Sequence, residues 1–65
     1  MTYAERLKAL RLKKGLSQAE LAERLGVSQP LISQYENGST SPTAELSVKI
    51  AELFGTTVER MVKGV

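Results

Sequence analysis

Between residues 28 and 41 lies a stretch rich in amides and hydroxyls: Ser28, Gln29, Ser33, Gln34, Asn37, Ser39, Thr40 and Ser41, with Pro30 and Leu31 among them. Residues 25–48 contain no Lys or Arg at all. Laid out at about 100° per residue, with Ile32 turned inward, residues 28–37 place Tyr35 and Glu36 on the inner half. Pro30, Ser33, Gln34 and Asn37 then gather on the opposite side, flanked by Gln29 and Leu31. A solvated helix face usually carries Glu and Lys, and this one carries neither. Short neutral donors and acceptors on one helical stripe suit a surface laid against base edges. Glutamine can bond adenine N6 and N7 together, serine can donate or accept, and Pro30 or Leu31 can touch a thymine methyl. The plain alternative is a pair of solvated glutamines on an ordinary helix.

Other chemistries are excluded by composition. The 65 residues include no Cys and no His, and all seven acids are Glu. Disulfides, zinc fingers and thiol or imidazole catalysts are therefore ruled out, as is a calcium loop built on Asp. No acid/base pair, nucleophile constellation or metal cluster is visible, so an enzyme is not expected, and neither a cofactor nor a small-molecule ligand is implied. Neither GxGxxG nor GxxxxGK occurs. Residues 1–16 are amphipathic, and no run approaches the ~20 apolar residues of a membrane span, so a soluble intracellular protein with no membrane contact is expected.

Nine bases against seven acids give a net charge of +2, too small to argue from, but its distribution is uneven. Arg6, Lys8, Arg11, Lys13 and Lys14 stand against Glu5 alone in residues 1–16, so one end of the molecule is basic.

These side chains need a scaffold, and a chain this short hides only ~60% of its unfolded surface on folding. Helices packed on helices meet that need best. The glycines at 15, 26, 38, 55 and 64 each follow a stretch of helical apolar spacing and read as helix ends. Ser17-Gln18-Ala19-Glu20 and Thr56-Thr57-Val58-Glu59 fit a capping box. Ser28 and Ser41 each stand near a proline suited to a first turn. The pattern predicts an all-α domain over 1–65 with five helices at about 2–14, 17–25, 28–37, 42–54 and 57–63. Leu7 and Leu10, then Leu21, Ala22 and Leu25, then Leu46, Ile50, Ala51, Leu53 and Phe54, then Val58, Met61 and Val62 recur at three and four. Only Gly26-Val27 separates the second helix from the third. Leu21, Leu25, Val27, Ile32 and Tyr35 would form their shared inner face, the geometry of a helix-turn-helix over 17–37.

At this point the chain resembles a known family, the phage repressor and Cro-type helix-turn-helix domains, also called the xenobiotic-response-element type. The likeness rests on Arg11 with Gly15-Leu16-Ser17-Gln18-Ala19-Glu20-Leu21-Ala22, then Leu25-Gly26-Val27-Ser28-Gln29, Ile32-Ser33-Gln34-Tyr35-Glu36-Asn37-Gly38 and Pro42. Ile50-Ala51-Glu52-Leu53-Phe54-Gly55 resembles the family's fourth helix. The likeness covers nearly the whole chain and is specific as a set. It implies a compact five-helix repressor-like fold and a transcriptional regulator, a repressor that binds a two-fold operator in double-stranded DNA as a dimer.

The resemblance further implies that Gln29, Pro30, Ser33 and Gln34 read bases. Gln18, Ser28, Asn37, Ser39, Thr40 and Ser41 would meet phosphates, and Arg11 and Glu36 would pair structurally. Thr57, Val58 and Met61 fall where such domains meet as homodimers, although Val58 and Met61 are equally suited to closing the core. A monomer or weak dimer in solution, completed on DNA, is expected, in a bacterial or phage-encoded cytoplasmic protein at the nucleoid. Family members often carry Lys or Arg in the third helix or the loop after it. Here the positive charge falls to Lys8, Lys13 and Lys14, of which the last two also suit a solvated helix end. A protein-interaction module, such as an antitoxin or a coactivator-like adaptor with secondary DNA binding, is the alternative. A chain of this size either works alone or is part of something longer.

Overall fold

The computed structural model describes residues 1–64 and holds five helices with no strand among them: α1 (Tyr3–Lys13), α2 (Gln18–Leu25), α3 (Gln29–Asn37), α4 (Ala44–Leu53) and α5 (Val58–Lys63). Each starts at a hydroxyl. Thr2 and Ser17 build complete capping boxes. The Glu5 and Glu20 amides donate to the cap hydroxyls at 3.2 and 3.0 Å, and the carboxylates accept from the cap amides at 2.8 and 2.9 Å. Ser28 caps α3, with Pro30 in the first turn, where a missing N–H costs nothing.

Two caps lie elsewhere than the sequence pattern suggests. α4 is capped by Thr43, whose hydroxyl accepts from the Leu46 amide at 3.2 Å, and not by Ser41. Capping at Thr43 puts Glu45 in the first turn, where the helix dipole favours an acid, and leaves Pro42 outside the helix. α5 is capped by Thr57 without a capping box. The Thr56 amide already donates to the Ala51 carbonyl at 2.9 Å, closing the end of α4 around Gly55, so Glu59 finds no free amide to reach back to.

The core takes one fully buried side chain from each helix: Leu7, Leu21, Ile32, Ile50 and Met61. Leu16, Ala22, Leu25 and Tyr35 complete the cluster, with Leu10, Val27, Leu31, Leu46, Leu53 and Phe54 packed around it. The Cα radius of gyration is 10.4 Å, against roughly 10.7 Å for a chain of this length, so no helix stands away from the rest. Val62 does not join the apolar stripe; it is 58% exposed.

A tie between the two ends of the chain completes the packing. The Arg6 Nε and Nη2 donate to the Met61 and Val62 carbonyls, each at 2.6 Å, and Nη1 donates to the Met1 carbonyl. A six-residue helix has few internal donors for its last carbonyls, and one guanidinium on α1 supplies donors to two carbonyls in the last turn of α5.

Candidate nucleic-acid interface

The turn between α2 and α3 sets the orientation of the outward helix. Gly26 takes φ +71°, a left-handed conformation that a side chain would strain. The Val27 amide then closes onto the Ala22 carbonyl at 3.0 Å, and Ser28 starts α3 at once. Ala22, 3% exposed, is the small residue at this close approach. α3 buries Ile32 and Tyr35 and leaves Gln29, Pro30, Gln34 and Asn37 exposed, with Ser33 and Leu31 half-buried.

Beneath this face lies an ion pair. Arg11 and Glu36 side chains are 8% and 3% exposed. Arg11 Nε donates to Glu36 Oε2 at 2.6 Å and Nη2 to Oε1 at 3.0 Å, a two-pronged contact, while Nη1 donates to the Leu16 carbonyl at 2.8 Å. The pair expected from the family resemblance is thus formed, and it joins α1 to α3.

From Glu36 the bonding continues outward. Gln18 Nε2 donates to Glu36 Oε1 at 3.1 Å, and Gln29 Nε2 donates to Gln18 Oε1 at 2.8 Å. A continuous chain of side chains therefore runs from the buried pair to the first residue of α3. The sequence carries one signal of it: Gln18 and Gln29 each follow a serine cap, Ser17 and Ser28, so both open a helix in the same register. Nothing in the spacing shows that they touch.

The same chain limits what each residue has left to offer. Gln18 keeps one side-chain N–H, plus the backbone N–H of a helix's first residue, which has no acceptor within the helix. Ser28 accepts from the Leu31 amide and retains its own hydroxyl proton as a donor. Ser39 directs both its amide, at 2.9 Å, and its hydroxyl to Asn37 Oδ1, which leaves the Asn37 NH₂ group free. Thr40 and Ser41 are exposed.

The basic residues expected to flank this surface divide. Ala4, Lys8 and Arg11 share a face of α1 at helical spacing. Ala4 lines a cleft with Tyr35, Asn37 and Thr40, and Arg11 reaches Glu36. Exposed Lys8 therefore stands beside the C-terminal half of α3. Lys13 and Lys14 instead line a cleft with Leu10 and Phe54, at the end of α4. In the expected dimer region Thr57 is exposed and Val58 half-buried. Met61 is 2% exposed, its side chain spent on the core, and exposed Val62 is the apolar group that region presents.

Five helices with a helix-turn-helix at the second and third, and a neutral polar face on the third, define the class. The chain belongs to the helix-turn-helix family, whose model matches residues 7–61. It is 38% identical over 64 residues to the transcriptional activator BcrR of Enterococcus faecalis, covering 98% of this chain and 31% of that protein. Its fold is similar to that of the P22 c2 repressor in complex with a synthetic operator, with TM-score 0.95 and 31% identity over 100% of this chain and 98% of that one. The fold also resembles one part of hydroxypropylphosphonic acid epoxidase from S. wedmorenis, with TM-score 0.82 and 30% identity over 92% of this chain but 32% of that enzyme. The chain spans between about a third and a half of the first curated relatives it matches. No helix among the described residues is long and apolar enough to cross a membrane.

Proposed function

We propose that this chain is the sequence-reading domain of a transcriptional repressor, with α3 in the major groove of double-stranded DNA and two copies on a two-fold operator. The observation that carries it is the outward face of α3: exposed amides with no charge, anchored at the head of the helix to a buried ion pair. Such a face matches the donor and acceptor pattern of base edges. Gln29, Pro30, Ser33 and Gln34 read bases. Gln18, Ser28, Asn37, Thr40 and Ser41 meet phosphates with neutral donors, and Ser39 acts by holding Asn37. Lys8, on the α1 face that carries Arg11, adds positive charge. The likeness to the c2 repressor, solved on an operator, supports this assignment.

Repression follows from occupancy, since a bound dimer blocks whatever shares its site. The likeness to BcrR, an activator, favours activation as a second reading, and a promoter-reporter fusion reads the sign directly. The dimer forms on DNA through the α5 region, where Thr57, Val58 and Val62 are accessible and Met61 supports them from beneath.

The test is sequencing of duplexes retained from a random pool at moderate salt. A two-fold motif with half-sites about one turn apart, ~10 bp, is the expected result. Binding without enrichment overturns the proposal and favours a protein-contact module, a role to which the base-free stretch 25–48 is also suited.

A further inference from the structure

We infer that Glu36, which need not touch DNA, selects the purine read by Gln29 by fixing the orientation of two glutamine amides in series. The inference rests on the proposed reading of DNA by α3. A glutamine amide has an accepting end and a donating end of nearly the same shape, so a free side chain presents either. Here the choice is made from below. The Glu36 carboxylate only accepts, and both its oxygens already receive Arg11 N–H groups. Gln18 can approach it only with its NH₂ end, as it does at 3.1 Å. Its carbonyl oxygen is thereby turned toward Gln29, which must answer with its own NH₂ end, as it does at 2.8 Å.

Gln29 is left with one acceptor, Oε1, and one remaining N–H. Adenine presents the complement in the major groove, an N6 amino donor and the N7 acceptor. Guanine presents two acceptors, O6 and N7, and its O6 would face Oε1. The buried carboxylate thus favours adenine at a base three hydrogen bonds away, and Glu36 is a positioning residue for recognition.

Glu36→Gln reverses the order. Arg11 still requires an acceptor, so the new amide turns its carbonyl to Arg11 and its NH₂ to Gln18. Gln18 then accepts below and donates above. Gln29 accepts from it and shows two N–H groups outward, the pattern that guanine O6 and N7 complement. Gln18→Met breaks the series while leaving the Arg11–Glu36 pair intact, so it reports even where Glu36→Gln fails to fold.

The experiment is random-pool selection followed by competition between duplexes that differ at one base pair. Loss of preference in Gln29→Ala marks the position that Gln29 reads. There the unaltered chain is expected to favour adenine over guanine by roughly 5- to 150-fold, the discrimination of one good bidentate contact. Gln18→Met is expected to reduce that ratio to below about threefold at this position and no other, and a folded Glu36→Gln to shift it toward guanine. A purely structural role for Glu36 would change affinity without moving one base preference. Guanine preferred by the unaltered chain, or an adenine preference undiminished in Gln18→Met, overturns the inference while DNA reading stands. A pool with no enriched sequence overturns both, and the two failures are thereby told apart.

Discussion

Arg11→Met is the perturbation that tests the ion pair most directly. It leaves the Glu36 carboxylate, 3% exposed, with a single donor from Gln18, and it also removes the donor to the Leu16 carbonyl. Breaking a buried pair by truncating one partner costs about 3–5 kcal/mol, because the remaining charge is stranded without water. At roughly 0.05–0.15 kcal/mol per residue, 65 residues hold about 3–10 kcal/mol in all, so the loss is a large share of the total. For a domain of this size each kcal/mol moves Tm by about 4–8 °C, and Tm should fall by roughly 12–40 °C. Replacing both partners with apolar groups, Arg11→Met with Glu36→Leu, strands no charge, although the Leu16 carbonyl still loses its donor, and is expected to recover most of that loss. Urea melts followed by far-UV circular dichroism give both numbers, and an unchanged m-value shows that stability alone has moved. A single variant within about 1 kcal/mol of the original chain, or a double variant no better than the single, would refute a desolvated pair at this site. The folded double variant should also lose its adenine preference, which separates what the pair does for stability from what it does for reading.

Lys8→Ala should reduce the slope of log binding constant against log salt by about 0.9 per copy and weaken all sequences alike, while Lys13→Ala, at the end of α4, should leave the slope nearly unchanged; salt titrations of the selected duplex measure both. Ser17→Ala should cost about 1 kcal/mol by removing the cap of α2, read by denaturant melts at neutral pH. Bonds from the backbone and hydroxyl of Thr2 and Ser17 hold the Glu5 and Glu20 carboxyls below the usual glutamate range. Their stabilisation is therefore complete above the unfolded value of about 4.3 and is lost as pH falls through the lower folded values. Melts between about pH 5 and 3 should show a smaller acid loss in Ser17→Ala than in the original chain. Arg6→Met removes the donors to the Met61 and Val62 carbonyls and should cost about 1–2 kcal/mol, with hydrogen exchange accelerating in α5 before α2 and α3.

The helices were legible because each is punctuated by local chemistry. A hydroxyl before an apolar stripe and a glycine after it act within four residues, and the five elements fall close to where that punctuation puts them. The two displaced caps show where locality ends. Thr56 and Thr57 are equally good caps in isolation, and the choice passes to Thr57 because α4 has already claimed the Thr56 amide. Val58 and Met61 are similarly ambiguous between core and interface, since a six-residue helix has too few turns to establish its phase from spacing. The Arg6 tie joins residues 55 and 56 positions apart, and no local pattern foretells it.

The proposed recognition face was legible in kind and not in polarity. Residue types alone put amides on the outward stripe of α3, but a glutamine has no fixed direction until a neighbour without choice constrains it. Glu36 is that neighbour, since a carboxylate cannot donate. Gln18 reaches it only because the Gly26-Val27 turn crosses α3 over α2 and brings the first residues of the two helices together. The sequence therefore carries the alphabet of the contact, while the crossing of two helices over a buried charge decides which way it is read. For this reason a substitution at Glu36, whose side chain is almost wholly buried, should alter base preference more selectively than one at exposed Asn37.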